Sequence, residues 1–266
     1  MSAAVELSVV VPVFRNRETL AELYHRLCNV LASTVASWEL VLVNDGCPHG
    51  SGAVIRSLAA ADGRVVAVEN EQNLGQVRAI HRGLQVSRGE VVAVMDADLQ
   101  DPPEVLPLLW RCLQQSDGQV WAVFASREGS YEGFGRMVSS RVFKRLLYLL
   151  TGLPPRAGGF CVLHRLAVER ILACSVPEPH VGILVACLGI PFAEVPFVRP
   201  RRASGRSAYS FSRRWRLAWR LLATAWRLRR ACAKVRPVGE SFSLSCPCKN
   251  WSMRDPAFLR ERHRDP

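Results

Sequence analysis

The sequence predicts an α/β fold built on a doubly wound, mostly parallel sheet. Three observations predict it. Short apolar runs alternate with longer segments of helical spacing through the first half of the chain;. The runs are continuously apolar, as strands covered on both faces must be. Polar clusters stand where several of these runs end, which is where sheets of this kind bind ligands.

The elements follow in order. Glu6 to Phe14 (ELSVVVPVF) is an apolar run that suits a buried strand;. Arg17 to Leu31 has helical spacing, with Leu20, Leu23, Leu27, Val30 and Leu31 on one side;. Trp38 to Val43 is a second strand, broken by Asn44-Asp45-Gly46, and Gly52 to Ala61 a helix. Arg64 to Glu69 is a third strand, Gln76 to Val86 a helix, and Glu90 to Met95 a fourth strand that runs straight into Asp96. Pro103 to Gln115 reads as a helix, because proline is tolerated in a first turn;. Val120 to Ala125 is a fifth strand.

The second half is less regular. Val138 to Leu150 is an amphipathic helix. Gly158-Gly159-Phe160 precedes a short strand, Leu166 to Leu172 is a helix, and Glu194 to Val198 is an edge strand. Val181 to Val198 is apolar but holds Pro191, Glu194 and Pro196, so it reads as a helix end, a turn and a strand rather than a membrane span;. Trp215 to Arg230 is the last strong helix, and periodicity fades from Pro237. This divides the chain into an α/β domain over 1–210, a Trp/Arg helix over 211–234 and a poorly ordered tail over 235–266.

Composition narrows the classes. The chain has 266 residues, 49% of them hydrophobic, enough for one sizeable core and against wholesale disorder;. Nine cysteines, an odd number without regular spacing, point to a reducing compartment;. Cys246-Pro247-Cys248 has no further ligands at metal-binding spacing;. No signal peptide is apparent. The net charge of +12 is carried by one segment: Arg199 to Lys234 holds eleven arginines, one lysine and no acidic residue, and the remainder is formally neutral. A basic arm on a neutral body suits a localised anionic partner. No nucleic-acid-binding motif accompanies it, so nucleic acid is not expected.

The chemistry is densest at Asp96-Ala97-Asp98-Leu99-Gln100-Asp101-Pro102-Pro103-Glu104. Two carboxylates delivered together by a strand end repel unless a cation lies between them. Oxygen donors favour Mg²⁺ or Mn²⁺, with phosphate oxygens completing the shell and Gln100 adding a neutral oxygen.

VVVPVF (9–14), VLVNDGCPHGS (41–51), NLG (73–75) and VMDADLQDPPE (94–104) resemble the inverting glycosyltransferases of the GT-A fold. Among them the sequence is most similar to the polyprenyl-phosphate glycosyltransferases, which include dolichyl-phosphate mannose synthase and the bacterial undecaprenyl-phosphate sugar transferases. The resemblance runs from about residue 7 to 215. It implies that Pro12 and Phe14 line the base pocket of a UDP- or GDP-sugar, that Asp45 hydrogen-bonds the nucleobase, and that Gly46 lets the backbone approach the nucleotide. It assigns Asn73, Gly75 and Ser207 to nucleotide binding. Asp96 and Asp98 hold the metal and diphosphate, and Gln100 helps complete the metal shell.

The same resemblance implies a polyprenyl-phosphate acceptor. A phosphate nucleophile is already anionic, so it needs positioning and charge compensation more than a general base. Arg127, Arg141 and Arg202 match arginines that the family uses near the acceptor and phosphates. The helix that follows supports a membrane-facing acceptor. Trp215, Trp219, Leu222 and Trp226 form a stripe beside Arg213, Arg216, Arg220, Arg227 and Arg230, as an in-plane interfacial helix requires;. The expected location is therefore cytoplasmic and peripheral to the membrane, self-anchored or aided by an integral membrane partner.

Several positions depart from the family pattern. Arg15-Asn16 stands in place of Asn-Glu, Asn44 and Cys47 in place of Asp and Ser, Gly159 in place of Asp, and Ala208 in place of Lys. Two alternatives therefore stay open. One is the same donor chemistry with a glycan or small-molecule acceptor. The other is a catalytically weakened membrane-surface scaffold.

Overall fold

The computed structural model describes residues 4–128, 145, 148–149, 151–153, 157–198, 223–224 and 226–228. Seven strands form one sheet: β1 Leu7–Val13, β2 Trp38–Asp45, β3 Val65–Asn70, β4 Val91–Val94, β5 Ala122–Glu128, β6 Ala157–His164 and β7 Phe192–Val198. Their order across the sheet is β3-β2-β1-β4-β6-β5-β7. β1 pairs in parallel with both β2 and β4, β2 with β3, and β5 with β7. β6 alone is reversed, antiparallel to β4 and β5.

The helices are α1 Leu20–Leu31, α2 Ser51–Ala61, α3 Gln76–Val86, α4 Leu106–Gln115, α5 Arg165–Leu172 and α6 Val181–Cys187, with a 3₁₀ turn at Pro103–Val105 before α4. They cover both faces of the sheet. Val9, Val11, Leu40, Leu42, Val91 and Ala93 face α1, α2 and α4. Val10, Val41, Val43, Val92 and Val94 face α3, α5 and α6. Successive residues of a strand point to opposite faces, so an uninterrupted apolar run supplies both cores at once. α3 lies especially close to the sheet, because a Cβ on Gly83 would collide with the Val10 side chain.

The predicted doubly wound, mostly parallel sheet is present, and α3 has the predicted bounds. Three details differ. α1 begins at Leu20 rather than Arg17. Gly158 and Gly159 do not precede β6 but lie inside it. The fifth strand runs Ala122–Glu128 rather than Val120 to Ala125, and β6 stands between it and β4. Strand order depends on contacts distant in sequence, which local patterning does not encode. β7 is an edge strand, as expected, and the apolar stretch 181–198 is α6, a turn and β7. Among the described residues no helix is long and apolar enough to cross a membrane.

One buried polar network stands at the amino ends of the strands, away from the candidate site. Glu39 is buried in β2 and accepts from the Ser8 hydroxyl (2.7 Å), the Arg88 backbone N–H (2.7 Å) and the Arg88 guanidinium (2.8 and 2.7 Å). A carboxylate this buried survives because each oxygen is met by donors. It ties β1, β2 and the turn before β4 together.

Candidate active site

The chain leaves β1 in one direction toward β2 and β3 and resumes on the other side at β4. The order thus reverses between β1 and β4, and the crevice beyond their carboxyl ends is the natural ligand site of such a sheet;. Phe14-Arg15-Asn16 follows β1, and Asp96-Ala97-Asp98 lies just beyond β4. Asn44-Asp45-Gly46 closes the neighbouring β2. These three polar clusters, each standing where an apolar run ends, therefore meet at the carboxyl ends of neighbouring strands.

The Asp96–Asp101 loop is tightly held. Asp96 and Asp98 are both half-buried, while Gln100 and Asp101 are buried. The Asp96 carboxylate accepts from Gln76 Nε2 at 2.6 Å, and the Asp96 N–H faces Asp101 Oδ2 at 3.4 Å. Asp98 Oδ1 accepts the Gln100 N–H at 3.1 Å. The Thr19 hydroxyl donates to the Ala97 carbonyl at 2.6 Å. Downstream, Glu104 forms a two-pronged pair with Arg26 of α1, at 2.9 and 2.6 Å. The carboxylates of this string thus divide: Asp96 and Asp98 are partly open to solvent, whereas Asp101 and Glu104 fasten the loop.

Two non-glycine residues flanking the crevice have left-handed backbone, Arg15 (φ 64°) and Leu99 (φ 59°). Each such residue costs roughly 1–2 kcal/mol, so the surrounding bonds must impose the conformation. A hard cation fits the donor set, since Asp96, Asp98 and Gln100 offer only oxygen or amide groups. Among the described residues no three His, Cys, Asp or Glu side chains cluster into a complete metal cage. A cation here would share its shell with ligand oxygens, as phosphate-bound Mg²⁺ and Mn²⁺ do.

Asp45 is buried at the end of β2, and its carboxylate is bonded to the loop between β3 and α3. Oδ1 accepts from Asn70 Nδ2 (3.0 Å) and the Leu74 N–H (2.8 Å), and Oδ2 accepts from the Gly75 N–H (2.9 Å). Asn73 Nδ2 returns a bond to the Asp45 carbonyl at 3.3 Å. Asp45 therefore fastens the Asn70–Gly75 loop, a task the sequence did not reveal. Gly46 has an intramolecular reason to be glycine: its φ is +59°, and a Cβ there would lie 2.5 Å from the Asn73 nitrogen. Pro12 is buried in β1 opposite Val43, and half-buried Phe14 lies under the Arg15 guanidinium at 5.3 Å.

The departures at Asn44 and Cys47 are accommodated locally. Asn44 Oδ1 accepts the Cys47 N–H at 3.2 Å. Cys47 Sγ receives the Arg15 N–H at 3.2 Å and lies 3.3 Å from the Ser51 hydroxyl. Burial opposes ionisation of this thiol, but hydrogen bonds from the Ser51 side chain and from the His49, Arg15 and Ser51 backbone outweigh it and lower its pKa;. Gly159 lies exposed in β6, with nothing within 4 Å of where a Cβ would stand.

Of the predicted acceptor residues, Arg127 lies in β5 opposite Phe197, just past a register shift between Phe124 and Ser126. Arg141, Arg202 and Ser207 lie outside the described residues, as does the 235–266 tail. Of the 211–234 helix, residues 223–224 and 226–228 are described: Thr224 and Leu228 are buried, Leu228 in the cluster with Val168 and Ile183, and Trp226 is 52% exposed.

Residues 8–172 match the model of glycosyl transferase family 2. The chain belongs to glycosyl transferase family 2. It is accordingly a nucleotide-sugar-dependent glycosyltransferase of GT-A fold, as the sequence motifs led us to expect. The glycosyltransferase is similar to the uncharacterized glycosyltransferase YkcC of Bacillus subtilis, with 31% identity over 82% of this chain and 68% of that protein. It is similar, again at 31% identity, to the undecaprenyl-phosphate 4-deoxy-4-formamido-L-arabinose transferase of Klebsiella pneumoniae, over 78% of this chain but 64% of that protein's length. Its fold is shared with glucosyl-3-phosphoglycerate synthase from Mycobacterium tuberculosis, crystallised with Mn²⁺, UDP and phosphoglyceric acid. The TM-score is 0.63 at 19% identity, over 85% of this chain and 79% of the other. A crystal form of that synthase with Mg²⁺ and UDP gives the same TM-score.

Proposed function

We propose that this glycosyltransferase carries out a metal-dependent, inverting transfer of a sugar from a UDP- or GDP-sugar to a polyprenyl phosphate at the cytoplasmic face of a membrane. The observation that carries the proposal is the pair Asp96 and Asp98, presented at the β1/β4 crevice by a loop that the rest of the fold holds in place. The named activity of the Klebsiella relative supports the acceptor, and the Mn²⁺, Mg²⁺ and UDP of the fold neighbours support the donor and metal.

In this proposal Pro12, Phe14, Asp45 and Gly46 form the base side of the pocket, Asp45 through the loop it holds as well as by contact. Asn73, Gly75 and Ser207 complete the nucleotide site. Asp96, Asp98 and Gln100 would hold the cation. The cation, when bound, supplies charge neutralisation to the departing nucleoside diphosphate. An acceptor phosphate oxygen approaches the anomeric carbon from the face opposite the diphosphate. The new C–O bond forms as the old one breaks, inverting that carbon. Arg127, Arg141 and Arg202 compensate the acceptor's charge, so no proton transfer is required. Exposed Trp226, on a segment fastened by Thr224 and Leu228, supports a membrane-facing surface, with any further anchor coming from an integral partner;.

The test incubates the protein with Mn²⁺, undecaprenyl phosphate in detergent and a panel of labelled nucleotide sugars. Label should enter the organic phase, and Asp98→Ala should abolish the transfer while leaving the melting temperature close to wild type. Label that stays wholly aqueous with every donor refutes the lipid acceptor. Transfer that survives Asp98→Ala refutes the metal site.

A further inference from the structure

We propose that Thr19 and Gln76 are positioning residues, a two-point brace that presents the Asp96 and Asp98 carboxylates to a divalent cation. The inference rests on the metal reading above and adds to it residues that no motif singled out.

Thr19 precedes α1 and occupies its N-cap position. A threonine there ordinarily accepts a hydrogen bond from the first turn. Thr19 makes no such side-chain cap, and its backbone is helical rather than extended. Its hydroxyl has a single hydrogen and two carbonyls in reach, Ala97 at 2.6 Å and Asn16 at 3.1 Å;. The shorter contact is to the residue between the two carboxylates. A helix start has thus given up its own cap to hold a loop 78 residues away.

Gln76 opens α3 directly after Gly75, whose N–H is bound by Asp45. Its amide nitrogen donates to Asp96 Oδ1 at 2.6 Å. Gln76 is exposed, so burial does not impose this bond. A neutral amide on one oxygen selects the carboxylate's orientation;. It does so without adding charge beside two carboxylates that already repel. Asp101, fully buried, faces the Asp96 N–H from the inner side. The loop is therefore held from the α1 side by Thr19, from the α3 side by Gln76 and from beneath by Asp101. Partners that orient metal ligands in this way typically contribute about 10–100-fold to metal affinity.

The experiment measures Mn²⁺ binding in the presence of UDP, by the loss of the free-ion electron paramagnetic resonance signal, for wild type, Gln76→Ala, Thr19→Val and Thr19→Ser. Both Gln76→Ala and Thr19→Val should weaken Mn²⁺ affinity about tenfold or more, and Thr19→Ser, which keeps the hydroxyl, should restore it. In turnover, the Mn²⁺ concentration for half-activation should rise while the rate at saturating Mn²⁺ recovers. Wild-type Mn²⁺ affinity in Gln76→Ala and Thr19→Val overturns the brace alone. So does a loss that Thr19→Ser shares with Thr19→Val, because the hydroxyl is then not the cause. A wild-type protein that binds no Mn²⁺ with UDP overturns the metal reading, and the brace with it.

Discussion

Replacing Asp45 by alanine should release the loop that links β3 to α3. The carboxylate makes three bonds, two of them to backbone N–H groups that alanine leaves without an acceptor. Bonds to a charged group contribute about 1.5–3 kcal/mol each, but the three share one loop and are not additive. The loop tip at Glu71–Asn73 is exposed, so water can take up part of the loss. With two backbone donors left unsatisfied, the loss is about 3 kcal/mol rather than the sum of three bonds. For a domain of this size that corresponds to a melting-temperature drop of roughly 6–12 °C. Asp45→Asn should fall between, because its oxygen can serve Leu74 while its NH₂ confronts the Gly75 N–H. Scanning calorimetry gives the global loss. Amide hydrogen exchange should show Leu74 and Gly75 exchanging faster in both variants. If Asp45→Ala melts with wild type and these amides keep their protection, the clamp does not exist and Asp45 is free to act on a ligand alone.

Cys47 lies between Asp45 and the α2 start with Arg15 against its sulfur. Mass spectrometry should therefore find its alkylation by iodoacetamide slowed by UDP with Mn²⁺, and equal rates with and without nucleotide would place the donor elsewhere. Asp62 predicts a distinct pH signature. Hydrogen bonds from Arg64 outweigh burial and hold its carboxyl at about 2, below the usual 3.8, with Tyr24 also donating to it at 2.8 Å. A depressed folded pKa stabilises above the unfolded value and is lost as pH falls through the folded one. Arg64 is half exposed, so the pair contributes at most about 1 kcal/mol;. Asp62→Asn should be less stable than wild type by that amount at pH 7 in urea titrations, with the difference vanishing between pH 4 and 2. A difference that persists at pH 2 would contradict the ion pair as its source.

Much of this molecule was written in short stretches of sequence. β1 to β4, the bounds of α3 and the Asp96 string follow from apolar period, turn residues and a motif, each contained within about a dozen positions. Periodicity works for β1 and β2 because strands covered on both faces need no polar residue along their length. It failed at Gly158-Gly159, where glycine reads as a break although the chain continues as β6;. Glu39 within WELVLV carried no signal either, since its stability depends on Ser8 and on Arg88, which lies 49 residues away.

The sequence alone marked the chain as a glycosyltransferase and set Asp96 and Asp98 directly after its fourth strand. Motif residues are adjacent in the chain, and their chemistry is legible wherever they stand. The tertiary structure decided the order of the strands and the reversal of β6. It also decided which acidic residues of the string fasten the loop and which stay partly exposed. Asp101 is buried and Glu104 is taken by Arg26, whereas Asp96 and Asp98 are half-buried. Only the fold brings Thr19, Asp45 and Gln76 to that loop and its neighbour. Hydrogen bonds reach about 3 Å, and partners so far apart in sequence meet only when the sheet has set its strand ends side by side.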